Sequence, residues 1–147
     1  MKKINVVIYG ATGSIGRSTL SIISKNIDKI NIEGITCDKN ILKLLKIAKS
    51  YNIKKIGFNE KSIHKMNRFN LNKFEVFNDD TIFHNIISRK TDVIVFATSG
   101  LTSLDLLLKI LKSGKIIGIA NKECIITLGK KFISLAKKYK TKIIPLD

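Results

Sequence analysis

The stretch Gly10-Ala11-Thr12-Gly13-Ser14-Ile15-Gly16 follows directly on an apolar run, Ile4 to Tyr9, and opens a helical pattern, Ser14 to Lys25. A strand that enters a helix through three evenly spaced glycines restricts the chain to a βα unit with a very tight turn. Such glycines let the backbone bend sharply, approach a pyrophosphate closely, and present amide N–H groups at the positive end of a helix dipole. The spacing is Gly-x-x-Gly-x-x-Gly rather than Gly-x-Gly-x-x-Gly, so the turn by itself also fits a connection whose glycines serve only packing. The strand before it and the helix after it supply the context of a nucleotide site, and a bound phosphate is expected there.

Beyond this turn the chain alternates between strand and helix signals with short connections, the pattern of a parallel sheet covered on both faces. Strands are expected at Ile4 to Tyr9, Ile30 to Thr36, Lys55 to Phe58, Phe74 to Phe77, Asp92 to Ala97, Lys115 to Ile119 and Lys142 to Leu146. Helices are expected at Ser14 to Lys25, at Asn40 to Ser50, from Asp79 or Asp80 to Ser88, at Thr102 to Lys112 and, as one long element, at Glu123 to Tyr139. The stretch from Glu60 to Asn72 is only weakly periodic, and His64 and His84 read as structural or surface residues. The expected class is α/β, with a doubly wound, mostly parallel sheet and helices on both faces. The run Asp92 to Ala97 is continuously apolar, as in a strand buried on both sides, and Thr98-Ser99-Gly100 follows at its carboxyl end, where open α/β sheets bind ligands.

With 147 residues, 44% of them hydrophobic, the chain is long enough for one domain with a sizeable core. No signal-peptide pattern opens it, and no apolar run approaches the ~18 residues of a membrane span; a cytosolic protein with no membrane partner is expected. Cys37 and Cys124 are far apart and form no Cys-x-x-Cys or zinc spacing, so both read as buried thiols. The net charge of +16 raises nucleic-acid binding. Against it, the excess is almost all Lys, scattered beside abundant Ile and Asn, with no aromatic-interleaved basic motif. No nucleic-acid partner is expected, although the field favours an anionic, phosphorylated ligand.

Two further stretches bear on such a ligand. The second strand ends in Cys37-Asp38-Lys39-Asn40, where dinucleotide folds meet the adenosine ribose. Lys39 and Asn40 suit a 2′-phosphate, Asp38 would repel one if it faced inward, and Asn40 serves equally well as a plain helix cap. In Asn121-Lys122-Glu123, Asn121 fits an N-cap and Glu123 a first-turn acid. Lys122 fits that scheme poorly, because a cation sits at the unfavourable end of the dipole; it makes sense if an anion binds there.

Taken together, Gly10 to Gly16 with Thr19-Leu20, Lys39-Asn40, Gly114-Lys115 leading into Ala120-Asn121-Lys122-Glu123, and Pro145-Leu146-Asp147 resemble the 1-deoxy-D-xylulose 5-phosphate reductoisomerase family over the whole chain. The matching part of that family is its amino-terminal, Rossmann-like NADPH-binding domain. The resemblance implies an enzyme of the non-mevalonate isoprenoid route, which rearranges a small phosphorylated sugar and reduces it with NADPH to methylerythritol phosphate, using a divalent Mg, Mn or Co ion. It implies that Thr12, Gly13, Ser14 and Ile15 cradle the pyrophosphate and that Lys39 and Asn40 meet the adenosine end. It further implies that Asn121 and Glu123 contact the cofactor, that Lys122 contacts the substrate, and that Asp147 is a metal ligand. A homodimer is the family's expected assembly.

The chain departs from the family at Cys124, where Ser is usual, at Asp38, where Gly is usual, and at Ser103, which replaces the second glycine of Gly-x-x-Gly-Leu. It stops at Asp147, where the family continues Ser-Glu-His into catalytic and carboxyl-terminal domains. The expectation is therefore a cofactor-binding polypeptide with no reductoisomerase activity of its own, since one carboxylate holds a divalent ion weakly. Two rival readings stand at this point: another NAD(P)-dependent reductase domain, for which neither cysteine lies in an obvious nucleophile context, and a non-catalytic nucleotide-binding module.

Overall fold

The computed structural model describes residues 1–59, 69–78 and 85–146. Among the described residues seven strands form one sheet: β1 (Ile4–Tyr9), β2 (Ile30–Thr36), β3 (Lys55–Gly57), β4 (Glu75–Phe77), β5 (Val93–Phe96), β6 (Ile116–Ile119) and β7 (Lys142–Pro145). Every pairing is parallel, in the order β4-β3-β2-β1-β5-β6-β7. The chain thus winds outward from β1 in one direction through β4, then returns to the other side of β1 for β5, β6 and β7. The crevice between β1 and β5 is the topological switch point, the place where such sheets accept ligands.

The central strands are apolar on both sides, which is why they read as continuous runs. On β1, Val6 and Ile8 face one core and Val7 and Tyr9 the other. Helix α1 (Ser14–Ser24) and helix α2 (Ile41–Ser50) cover the first face with Leu20, Ile23, Ile41, Leu44, Leu45 and Ala48. Helices α3 (Leu104–Leu111), α4 (Lys122–Leu128) and α5 (Lys130–Lys138) cover the second with Leu106, Leu107, Ile110, Leu111, Cys124, Phe132 and Ala136. Each fully buried aliphatic or aromatic side chain of this kind contributes about 1.5–3 kcal/mol. The doubly wound, helix-on-both-faces expectation is met, and the sheet is entirely parallel. Pro145 falls on the edge strand β7, where its missing N–H costs no ladder bond.

Two local features depart from the expected elements, and a third expected element is described only at its end. The expected long helix Glu123 to Tyr139 is two helices, broken at Gly129 (φ +50°, ψ −126°), a backbone state that glycine adopts readily. In a straight helix Cys124 and Phe132 would lie roughly 80° apart around the axis; the break lets both reach the core. The helix expected from Thr102 starts instead as a 3₁₀ turn, Leu101–Ser103, behind Gly100 at φ +74°, and becomes α-helical at Leu104. The helix expected from Asp79 or Asp80 falls mostly on residues 79–84, and His64 and His84 lie with it outside the described residues; Asn85 to Ile87 are turn and bend. Where Gly34 passes, the absent side chain leaves room for buried Ile86, whose Cγ1 would lie 2.7 Å from an added Cβ.

The pairing of β1 with β2 slips between Val6 and Val7, so that Glu33 is the extra residue of a bulge. Its carboxylate accepts a 2.5 Å hydrogen bond from Thr91 Oγ1 and pairs with Lys55 Nζ at 3.3 Å. Burial pushes its pKa up, but hydrogen bonds from Ser88, Thr91 and Lys55, with the Lys55 charge, outweigh this and hold it below the ordinary carboxylate value. Glu33 therefore ties β2 to β3 and to the chain entering β5. Among the described residues no helix is long and apolar enough to cross a membrane.

Candidate functional site

The glycine turn is fixed from both sides of the switch point. The Gly10 N–H donates to Thr36 Oγ1 at 3.3 Å and the Ala11 N–H to the Thr36 carbonyl at 2.8 Å, which ties the turn to the end of β2. On the other side the backbone of Ala97 presses against Gly10, leaving only 2.5 Å between its carbonyl oxygen and the place a Cβ would occupy. Gly10 also has φ +81°, so it is required on both counts. Gly16 packs the first turn of α1 onto the Gly10 carbonyl, where a Cβ would sit at 2.2 Å. Gly13 differs: its nearest neighbour would be 3.6 Å away, and it is exposed. Two glycines of the motif are thus consumed by packing, and the third is exposed at the start of the helix, where a Cβ would fit without a clash.

That start carries no cap. Gly13 is the N-cap, with no side-chain hydrogen bond and no acidic residue in the first turn. The first N–H groups of a helix have no partner within it; here the Gly13 N–H donates to the Gly10 carbonyl at 3.2 Å, and the next ones belong to exposed Ser14 and half-buried Ile15. An anion at this point would meet aligned donors and the positive end of the dipole.

Helix α2 brings a cation to the same place. Asn40 is its N-cap, the Asn40 Oδ1 accepting from the Lys43 N–H at 3.2 Å, so the capping role expected for Asn40 is realised. The same Lys43 extends its ammonium group to the Thr12 carbonyl at 2.9 Å. Lys43 thereby joins the end of β2 to the glycine turn. Its spacing from Asn40 offered the only sequence signal, that of a third helical residue on the side of the cap. Asp38, which could have opposed a 2′-phosphate, is instead bonded by Asn59 Nδ2 at 3.0 Å at the neighbouring end of β3. Lys39 and Asn40 are exposed beside it.

Across the switch point, the carboxyl ends of β5 and β6 form a second half of the rim. Asn121 caps α4, its Oδ1 accepting from the Cys124 N–H at 2.9 Å, while its Nδ2 donates to the Gly100 carbonyl at 2.9 Å. Glu123 Oε2 accepts from the Gly100 N–H at 3.2 Å. The Asn-Lys-Glu element therefore clamps both polar groups of Gly100 and sets the loop after β5, a function its sequence did not announce. Asn121 is nearly fully buried, whereas Lys122 and Glu123 are exposed at the first turn of α4. Cys124 is buried, its Sγ donating to the Gly100 carbonyl at 3.4 Å. Thr98, just past β5 and beside Gly10, has a buried hydroxyl with no hydrogen-bond partner among the described residues.

Thr12, Gly13, Ser14, Ile15, Lys39, Asn40, Asn121, Lys122 and Glu123 all lie at carboxyl ends of strands and share one edge of the sheet. Contacts from Asn40 through Lys43 to Thr12, from Gly10 to Ala97, and from Gly100 to Asn121 make the rim continuous. Asp147 lies outside the described residues; the Leu146 N–H before it donates to the Ile119 carbonyl at 2.8 Å, at the end of β6. Among the described residues no three His, Cys, Asp or Glu side chains gather as metal ligands would. Neither thiol is an activated nucleophile: burial and the neighbouring Asp38 charge push Cys37 up to about 12, and burial followed by the Glu123 charge raises Cys124.

Comparison with known proteins agrees with this geometry. A family model described as 1-deoxy-D-xylulose 5-phosphate reductoisomerase matches residues 6–129. The reductoisomerase of Wigglesworthia glossinidia brevipalpis is 35% identical over 153 aligned positions, covering 100% of this chain and 38% of the relative. The Zymomonas mobilis reductoisomerase solved in complex with NADPH superposes with a TM-score of 0.87 at 26% identity, covering 99% of this chain and 39% of that one. A reductoisomerase solved with NADPH, fosmidomycin and magnesium gives a TM-score of 0.88 at 29% identity, over 97% of this chain and 36% of that one. The chain thus spans well under half the length of the relatives it matches. By sequence and fold together, the chain belongs to the 1-deoxy-D-xylulose 5-phosphate reductoisomerase family.

Proposed function

We propose that this chain is the NADPH-binding domain of an enzyme that converts 1-deoxy-D-xylulose 5-phosphate to 2-C-methyl-D-erythritol 4-phosphate. The observation that carries this reading is the uncapped, exposed start of α1 at Gly13 and Ser14, with the Lys43 ammonium held beside it on Thr12. It fits a pyrophosphate, which needs aligned N–H donors, a nearby cation and a backbone with no side chain in the way. Thr12, Gly13, Ser14 and Ile15 hold that group, and Lys39 and Asn40 meet the adenosine 2′-phosphate, Asp38 being turned to Asn59. Asn121 and Glu123 act on the cofactor through Gly100 and at the surface of the rim. Lys122, exposed at the start of α4, attracts the phosphorylated sugar.

NADPH, when bound, supplies the hydride, and a divalent cation (Mg, Mn or Co) polarises the substrate oxygens. The chain's own residues bind and orient the dinucleotide along the switch point. In this reading Asp147 contributes one ligand of the cation site, the rest of the enzyme supplies the others, and the chain alone is inactive. The working context is the non-mevalonate isoprenoid route in the cytoplasm, with a homodimer of the full-length enzyme and no membrane or nucleic-acid partner.

Fluorescence titration at about 0.2 M salt tests the binding claim, since exposed charges are largely screened there. NADPH should bind well ahead of both NADH and a generic polyanion; equal, salt-labile binding of all three would overturn it. NADPH consumption by the chain alone with substrate and Mn²⁺ would overturn the claim of inactivity.

A further inference from the structure

We propose that the Thr98 hydroxyl completes its hydrogen bonding on the nicotinamide half of the bound dinucleotide, making Thr98 a binding residue on the β5 side of the switch point. The proposal rests on the NADPH reading above and extends it to a residue that neither the glycine motif nor the Asn-Lys-Glu element includes.

Thr98 Oγ1 is buried and lacks a hydrogen-bond partner among the described residues, an arrangement that costs free energy in the unliganded protein. Such orphaned groups are uncommon in folded proteins and call for a partner. Here the surroundings indicate which. The residue follows β5, its backbone N would lie 3.0 Å from a Cβ on Gly10, and two residues later Gly100 is pinned by Asn121 and Glu123. The loop is thus held against the glycine turn from one end and against the start of α4 from the other, which fixes Thr98 in place without using its hydroxyl. A threonine hydroxyl that serves structure alone finds an acceptor within the protein, as Thr91 does on the Glu33 carboxylate and Thr141 on the Leu111 carbonyl, each just before a strand.

The two halves of a dinucleotide lie on opposite sides of the switch point. Lys39, Asn40 and Lys43 mark the adenosine side at the end of β2, and the pyrophosphate spans the start of α1. What remains for the β5 side is the nicotinamide nucleotide, whose ribose hydroxyls and carboxamide both donate and accept. A threonine hydroxyl can serve either way.

The test compares Thr98→Val, which keeps the shape and removes the hydroxyl, with Thr98→Ser, which keeps the hydroxyl. Affinities are measured for NADPH and for 2′,5′-ADP, a probe with the adenosine half only, together with the melting temperature of the unliganded chain. Thr98→Val should bind NADPH about tenfold more weakly, bind 2′,5′-ADP as the parent does, and melt at the same or a higher temperature, because a costly orphan is gone. Thr98→Ser should stay within about twofold of the parent for NADPH. The proposal is overturned if Thr98→Val binds NADPH as the parent does, or if both probes weaken together with a fall in melting temperature. Failure of the parent chain to bind either probe overturns the NADPH reading itself, and this inference with it.

Discussion

Replacing Gly16 with alanine sets two well-measured effects against each other. On helix propensity alone the change should stabilise the chain by up to about 1 kcal/mol, since glycine is the poorer helix former. The structure reverses the sign. The new Cβ would stand 2.2 Å from the Gly10 carbonyl oxygen and 2.7 Å from the Ala11 Cα, both backbone atoms that no rotamer change can move away. Overpacking of this kind costs about 1–3 kcal/mol, and contact with backbone rather than a flexible side chain puts it at the upper end. The net expectation is a loss of about 2 kcal/mol, read as a lower urea midpoint at unchanged slope. Gly13→Ala is the matched control: its Cβ meets nothing closer than 3.6 Å, so stability should fall by no more than about 1 kcal/mol, the cost of alanine at an N-cap. The same methyl stands where a pyrophosphate must approach, and NADPH affinity should drop at least about tenfold, or 1.4 kcal/mol. A Gly16→Ala chain as stable as the parent would refute the packing argument, and a Gly13→Ala chain that binds NADPH normally would refute the division of roles among the three glycines.

Lys43→Met removes the cation beside Thr12 while keeping most of the apolar stem. NADPH affinity at low salt should fall about tenfold, and the gap from the parent should narrow as salt rises to about 0.2 M, because the missing contribution is electrostatic. Glu33 has its pKa lowered in the folded chain, so it contributes stability that is present above the unfolded carboxylate value and is lost as pH falls through its lowered folded value. Urea midpoints measured from pH 7 downward should therefore fall for the parent, and the Glu33→Gln variant should show a shallower fall in the same acidic window; parallel curves would count against the pairing with Thr91 and Lys55. Cys37 and Cys124 are buried and both have raised pKa values, so at pH 8 each should react with a thiol reagent only as fast as the chain opens. A rapid native-state reaction at either would contradict their placement in the core.

Much of this architecture was legible because hydrophobic pattern and turn chemistry agree along most of the chain. The apolar runs of β1 and β5 could only be strands buried on both faces, and the glycines between β1 and α1 marked the turn. What the sequence left open was set by tertiary contact. Gly129 resembles any glycine within a helical pattern, and only the need to bury both Cys124 and Phe132 shows why the helix breaks there. Asn40 read equally well as a cap and as a phosphate ligand; the cap is formed through its side-chain oxygen. Lys43 was one lysine among many until the fold of α2 carried it to Thr12. Asn121 and Glu123 carried the signature of a helix start, but their hold on Gly100 depends on where β5 ends relative to β6. The unpartnered hydroxyl of Thr98 has no sequence signature at all, because it is defined by the lack of a neighbour.

The account's central claim is that a dinucleotide settles on the start of α1 and across the switch point. Amide chemical-shift mapping of the ¹⁵N-labelled chain during titration with NADPH at about 0.2 M salt tests it most directly. The largest shifts should fall on Gly13, Ser14 and Ile15, with Asn40 and Thr98 moving at the same ligand concentrations. Shifts scattered over exposed lysines, with the amides of Gly13 to Ile15 unmoved, would contradict it.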